Sequence, residues 1–298
     1  MIIAPGAAQL PLGIPARPTG SRRHPGADRA APPLGPVARS PADPCQAGAV
    51  DNPTSLAHRL RRLVRRAGVD VQRWPSPRDP ATAHVRLLRD AGVTLVLDVG
   101  AAGGGYALTV RDRGHRGRIV SCEPLPDSYE RLRVAAGSDH DWEVRRTAVG
   151  ATPGRATLHV AGNADSSSLL PMLDTHTEAA PHTATVGSVE VDVTTVDALL
   201  DEVARPTDAV LLKLDVQGAE SEVLDGASLD RLVGIHLEHS LVELYDGSVT
   251  FEPMHRRLLD AGFELVDLSP GFRDPRSGRL LQFDATYLRR PAGADVDG

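Results

Sequence analysis

A single lysine, Lys213, stands among 33 lysines and arginines, in the segment LLKLDVQG (211–218). In an extended chain alternate side chains share a face, so Lys213, Asp215 and Gln217 point one way and Leu212, Leu214 and Val216 the other. At ~3.3 Å per residue the lysine and the first aspartate lie about 7 Å apart. Charge inside so apolar a run is costly unless it is paired or sits at a functional end. A compact ammonium on a flexible stem does what a guanidinium cannot, which gives the exception a purpose. Glu220 opens the next segment, while Glu238 and His239 end a second apolar run at 234–239. Asp215, His239, Glu220 and Glu238 are thus candidates to take a proton from an attacking hydroxyl, with Asp215 or His239 favoured. The alternative for His239 is a satisfied buried histidine. Lys213 would orient a carboxylate by pairing with Asp215, Glu220 or Glu238, or else form a salt bridge of purely structural value.

A second constellation lies earlier. The residues DVGAAGGG (98–105) follow an apolar run at 94–100 and open a helical pattern. Glycines here let the backbone approach a ligand, at the carboxyl end of a strand where open α/β sheets bind them. The dinucleotide fingerprint is broken, because Ala102 takes its second glycine position. Asp98 would repel a pyrophosphate but suits a ligand carrying an amino group and a sulfonium, as S-adenosylmethionine does. It would reach that amino group through water or the loop backbone, or cap the loop's own N–H groups. Glu123 ends a second strand and is placed to accept both ribose hydroxyls, before Pro124 turns the chain away. Nicotinamide enzymes use the same carboxylate, so Glu123 argues for a nucleoside and not for one in particular. Metal ligation would want clustered carboxylates around an octahedral ion. Only Asp215 and Glu238 sit suitably, and no metal is expected.

Elements that could hold these residues alternate from position 94 onward. Strands are expected at 94–100, 118–123, 142–149, 209–215, 234–239, 263–268 and 282–288. Helices are expected at 104–113, from Asp127 as N-cap, beyond Glu220, and at 253–261. Segments 155–161 and 186–194 read as a hairpin or excursion around a polar loop at 164–168. The last strand follows a helix-free link at 270–278, which permits an antiparallel return. The expected fold is α/β: a doubly wound, Rossmann-like, mostly parallel sheet with one reversed edge strand, the class I arrangement.

Upstream, Leu56, Leu60, Leu63 and Val64 stripe a helix over 55–67, and a second helix is expected over 81–91. Residues 1–50 hold 10 of the 24 prolines and five arginines against two aspartates and no glutamate, which reads as a disordered tail over 1–52. That tail is either a basic arm or the product of a start codon placed too early. The division is therefore a tail at 1–52, helices at 53–93 and one catalytic domain at 94–290. A formal charge of −6 gives no reason to expect nucleic acid as a partner. Cys45 and Cys122 form no zinc or disulfide pattern, and the start has no signal-peptide layout. No run approaches the ~18 apolar residues of a membrane span. A soluble cytoplasmic enzyme is expected.

Taken together, LDVGAAGGGY (97–106), CEPLPDSYERL (122–132), TAVG (147–150), SSL (167–169), VTTVDALL (193–200), LLKLDVQGAESEVLDGA (211–227) and HLEHS (236–240) resemble the FkbM family of methyltransferases. The resemblance covers roughly 95–288, and 211–227 is its most specific part. One departure is Ala102-Gly103, where the family often has Asn followed by another residue. The resemblance implies a class I fold, S-adenosylmethionine as donor, and commonly O-methylation of a sugar or natural product. It implies that Asp98, Gly100, Ala102, Gly103, Gly104, Glu123, Pro124, Ala148 and Val149 line the donor site, with Ser167 and Ser168 in the loop beside it and Asp215 over the methyl group. The expected partner is a small hydroxyl acceptor, contacted from 163–185 and 241–252. His176 and His182 there are either contacts or exposed loop residues. Two other functions remain open at this level: a nicotinamide-dependent oxidoreductase and a non-catalytic S-adenosylmethionine-binding relative.

Overall fold

A computed structural model of the protein describes residues 79–290, together with Leu63. The tail at 1–52 and, apart from Leu63, the helix expected over 55–67 lie outside the described residues. Everything that follows lies within the unit Val71–Gly298.

Helix α1 (Pro80–Asp90) starts where the Asp79 carboxylate accepts the Thr82 N–H at 2.9 Å, with proline at the first helical position. Strand β1 (Leu95–Val99) is buried at all five residues, as a strand covered on both faces must be. Then come α2 (Gly105–Asp112), β2 (Arg118–Cys122), α3 (Pro126–Ala136) and β3 (Trp142–Arg145). Asp127 is not the cap of α3. It lies in the first turn, because Pro126 already has the fixed φ of a first helical residue, and Leu125 precedes it without a side-chain cap.

The strand expected over 142–149 breaks in two. β3 ends at Arg145, and β4 (Ala148–Val149) joins a separate three-stranded sheet. At the break the Thr147 hydroxyl shares its hydrogen between the Ala148 carbonyl at 2.9 Å and the Asp192 carbonyl at 3.1 Å. That sheet has β5 (Gly154–Ala161) antiparallel and β4 parallel to β6 (Thr185–Thr194), with α4 (Asp174–Ala179) between β5 and β6 in sequence. It is the excursion expected at 155–161 and 186–194.

The main sheet resumes through α5 (Val196–Val203), capped by Thr195, and β7 (Val210–Leu214). It is completed by α6 (Glu220–Asp225), β8 (Leu232–Ser240), α7 (Phe251–Asp260), β9 (Phe263–Pro270) and β10 (Gln282–Arg289). Its seven strands run β3-β2-β1-β7-β8-β10-β9, and β10 alone runs opposite to the other six. The reversed strand therefore lies one place in from the edge rather than on it. The helix-free link after β9 brings the chain back beside β8 and leaves β9 outermost. Leu97, Leu212, Leu237 and Leu258 fill the core on one face, and Leu88, Val96, Val110 and Leu211 fill it on the other. The strand order reverses at β1, between β2 and β7, so a crevice opens over the carboxyl ends of β1 and β7. Among the described residues no helix is long and apolar enough to cross a membrane.

Candidate active site

The crevice holds a cavity of about 480 Å³, within the range of small-molecule sites. Its floor is the turn after β1. Gly100 has φ +74°, and a Cβ there would lie 1.9 Å from the Asp215 carbonyl oxygen, so only glycine lets the turn meet the end of β7. The Gly100 and Ala101 N–H groups donate to the Cys122 carbonyl at 3.1 and 3.0 Å, tying the turn to β2. One carboxylate secures the side wall: Glu123 accepts from the Ala102 N–H at 2.9 Å and the Leu125 N–H at 2.8 Å. Burial lifts Glu123 above the usual carboxylate value despite those two bonds. Ala148, Val149 and Ser168 form the opposite wall.

Lys213 joins the floor to β7. Its Nζ donates to the Gly100 carbonyl at 2.8 Å, and pairs with Asp98 at 3.1 Å and with Asp215 at 3.8 Å. Burial alone would discharge this ammonium, but the Asp98 and Asp215 carboxylates outweigh it and hold its pKa above the ordinary value. The main partner is thus Asp98, and not Asp215, Glu220 or Glu238 as the sequence suggested. The reason is register: β1 and β7 run parallel with Asp98 directly beside Lys213. Asp98 is fully buried, accepts from the Ser121 hydroxyl at 2.8 Å, and lies beneath the turn rather than in the cavity wall. It neither reaches into the cavity nor caps the turn. Asp215, at the end of β7, keeps 43 % of its side chain exposed at the cavity edge.

The other expected catalytic side chains do not line the cavity. His239 is buried among Phe251, Phe283 and Tyr287, with a ring nitrogen 3.0 Å from the Tyr287 hydroxyl, and burial lowers it to about 4. Alternation along β8 turns it away from the face that carries Glu238. The Glu220 carboxylate accepts the Val216 and Gly218 N–H groups at 3.1 and 3.2 Å, which makes it the lock of the turn after β7, and burial raises it to about 7. Glu238 accepts from Gln282 at 2.6 Å and Gln217 at 3.3 Å, and burial, then Asp215, pushes it well above the carboxylate range. It is one amide away from Asp215. Gly104 packs against Leu132 and Trp142 instead of the cavity. His176 is not an exposed loop residue either: it is 2 % exposed, against Tyr245 and Phe272.

The remaining expected donor residues, Gly100, Ala102, Gly103, Glu123, Pro124, Ala148, Val149, Ser168 and Asp215, all line the cavity. Further side chains there that were not singled out from sequence include Tyr106, Arg131 and Asp165. Tyr106 had a signal, since it closes the motif LDVGAAGGGY in the first turn of the helix after the glycines. Its hydroxyl is held 2.9 Å from a ring nitrogen of His84 on α1, and its ring centroid lies 5.6 Å from Lys213 Nζ. Among the described residues no group of three or more side chains is arranged to hold a metal ion.

Residues 98–265 match the methyltransferase FkbM domain. The chain belongs to that family. The match begins at the buried aspartate under the turn and runs into β9, so it includes both walls and the floor of the cavity. A relative from Beauveria bassiana (strain ARSEF 2860), named Methyltransferase 1, is 25 % identical over 196 residues, 61 % of this chain and 77 % of that one. Among solved structures, a precorrin-6y C5,15-methyltransferase from Geobacter metallireducens GS-15 aligns at 13 % identity and TM-score 0.36, over 75 % of this chain and 95 % of that one. A ribosomal protein L11 methylase from Lactobacillus delbrueckii subsp. bulgaricus aligns at 9 % identity and TM-score 0.36, over 71 % and 77 %.

This FkbM protein is a methyltransferase with a class I fold, and family and fold imply S-adenosylmethionine as donor. The cavity fits such a molecule on its own evidence. The turn residues Gly100 to Gly103 line the cavity, so backbone is presented to whatever it holds. Each Glu123 oxygen has one lone pair on a backbone N–H and another open to a ribose hydroxyl.

Proposed function

We propose that this FkbM methyltransferase methylates a hydroxyl of a sugar or natural-product small molecule, with Asp215 receiving the hydroxyl proton. The observation that carries the reading is the Asp215 carboxylate itself. One oxygen is occupied by the Gln217 amide at 2.7 Å, and the other stands 3.8 Å from Lys213 at the half-open edge of the cavity. A hydroxyl must lose its proton as it attacks, and a carboxylate with one free oxygen beside the donor cavity suits that task.

Bound in the cavity, S-adenosylmethionine supplies a methyl group on a sulfonium sulfur, and the thioether that leaves is neutral. The protein therefore needs no acid for the leaving group, and alignment is its main contribution. Glu123 and the turn at 100–103 hold the nucleoside end. Lys213 fixes the turn through the Gly100 carbonyl and stands beside Asp215. The Asp215 oxygen not bonded to Gln217 would receive the proton that the acceptor hydroxyl loses and would pass it on to water. A small acceptor is favoured over nucleic acid by the net charge of −6.

The test is incubation with S-adenosylmethionine and a small-molecule cell extract, followed by mass spectrometry for products heavier by one methyl group. Calorimetry with S-adenosylhomocysteine and with NADH accompanies it. An O-methyl product, lost by roughly 100-fold in Asp215→Asn, supports the reading. Binding of NADH in preference to S-adenosylhomocysteine would indicate the oxidoreductase alternative, and donor binding without any transfer would indicate a non-catalytic relative. An N-methyl product overturns the hydroxyl assignment.

A further inference from the structure

Tyr245 lies outside the cavity, yet its hydroxyl reaches two segments that form it. That oxygen is 2.9 Å from Gln217 Oε1 and 3.0 Å from the Ser166 carbonyl, and its one hydrogen is shared between these two acceptors. Gln217 follows Asp215 by two residues and holds a left-handed backbone, φ +55°, which a non-glycine residue adopts only when its surroundings enforce it. The enforcement is visible on three sides. The Ser168 hydroxyl donates to the Gln217 carbonyl at 2.7 Å and itself accepts the Leu170 N–H at 3.0 Å. The Gln217 amide nitrogen donates to Asp215 at 2.7 Å and Glu238 at 3.3 Å. The Tyr245 ring fills the space beside Gly218, φ +99°, where a Cβ would lie 2.9 Å from the tyrosine Cβ.

Backbone pairing extends the contact. Leu173 N–H donates to the Leu244 carbonyl at 2.9 Å, and Asp246 N–H to the Pro171 carbonyl at 2.8 Å. The segment from Ser166 to Leu173 thus runs from the cavity wall to the connection after β8, and Tyr245 sits where the two meet the end of β7.

We infer that Tyr245 is a positioning residue, whose hydroxyl latches the Ser166–Ser168 wall of the donor cavity to Gln217 and thereby sets the wall and the Asp215 carboxylate in one arrangement. This deepens the proposed function, because it takes the cavity to be the donor site. The latch acts through two hydroxyls, Tyr245 and Ser168, that bind opposite sides of one residue. Only Ser168 touches the cavity directly.

Calorimetry with S-adenosylhomocysteine tests it on the full-length protein, the Tyr245→Phe and Ser168→Ala variants, and their double variant. Phenylalanine keeps the ring against Gly218 and His176, so the melting midpoint of the ligand-free protein should stay within a few degrees. The affinity for S-adenosylhomocysteine should nevertheless fall about tenfold in Tyr245→Phe, the size expected for one well-placed hydrogen bond. Because both hydroxyls serve one latch, the double variant should bind no more weakly than about twice the larger single effect. A residue that only stabilises the fold would lower the melting midpoint and leave the affinity of the folded fraction intact. Wild-type affinity in Tyr245→Phe, or losses that multiply in the double variant, overturns the latch while leaving the donor site in place. Failure of the unmodified protein to bind S-adenosylhomocysteine overturns both. Should one single variant not fold, the other is compared with Gln217→Met, since both should weaken binding if the latch passes through Gln217.

Discussion

Gly100 and Asp215 meet through their backbones: a β-carbon on the glycine would lie 1.9 Å from the aspartate's carbonyl oxygen. The turn after β1 and the end of β7 are thus one packed unit, and the carboxylate assigned the proton is carried by the strand that the glycine touches. Neither a methyl group nor a shift of β7 can be accommodated without moving one of them. Gly100→Ala is expected to abolish S-adenosylhomocysteine binding and destabilise the protein by more than about 2 kcal/mol. Calorimetry and thermal melting would read both, and an alanine variant with unchanged affinity would contradict the contact.

Lys213 has a structural duty separate from any at the reacting atoms, because its ammonium is the ion-pair partner of the fully buried Asp98. Lys213→Met strands that carboxylate, and removing one member of a buried pair costs about 3–5 kcal/mol. For a domain of this size that corresponds to a drop in melting midpoint of roughly 10 °C. Adding Asp98→Asn to Lys213→Met should recover much of the loss, since the stranded charge is gone. If the double variant melts no higher than the single one, the pairing is not what stabilises β1 against β7.

The positions of most main-sheet strands along the chain and the glycine turn were legible in the sequence because both rest on local pattern: short apolar runs, and glycines directly after the first. Lys213 was legible as exceptional, yet its partner was not. Periodicity along one strand shows which residues share a face, whereas Asp98 faces Lys213 from a neighbouring strand, and the register between parallel strands has no signature in either one. His239 and Glu238 show the converse limit. They are adjacent in sequence and opposite in orientation, so reading both as proton acceptors meant counting both faces of β8. Asp127 fitted the capping preference, but Pro126 before it had already begun the helix. Tyr245 carried no signal at all, since its importance comes from two segments that approach it from 79 and 28 residues away.

Glu123 is expected to be intolerant of even an isosteric change. Its two oxygens accept two backbone N–H groups, Ala102 on one side and Leu125 on the other. A glutamine offers one oxygen and one NH₂, so one of those donors must face another donor. Hydrogen bonds to a charged group are worth about 1.5–3 kcal/mol. Glu123→Gln should therefore weaken S-adenosylhomocysteine binding by roughly 10- to 100-fold while the protein remains folded. Calorimetry measures the loss, and an affinity within twofold of wild type would remove Glu123 from the donor site.

Glu220 gives the chain a dependence on pH that can be assigned to one side chain. Burial raises its pKa from 4.5 to about 7, and the negative charge of Asp215 adds to the effect. The folded protein therefore retains a proton on Glu220 at pH values where the unfolded chain has released it. In that window the native state binds more protons than the unfolded one, so stability falls as pH rises from about 4.5 to about 7 and stays low above it. The full effect is on the order of 3 kcal/mol. Glutamine at this position keeps an oxygen for the Val216 and Gly218 N–H groups and has no charge to bury. Buried neutral histidines such as His84, lowered to about 4, impose the opposite slope at acid pH, so the comparison must be between variant and wild type at each pH. Glu220→Gln should match wild type near pH 4.5 and exceed it progressively toward pH 8 in denaturant midpoint. A constant difference across that range would mean that Glu220 does not titrate within it.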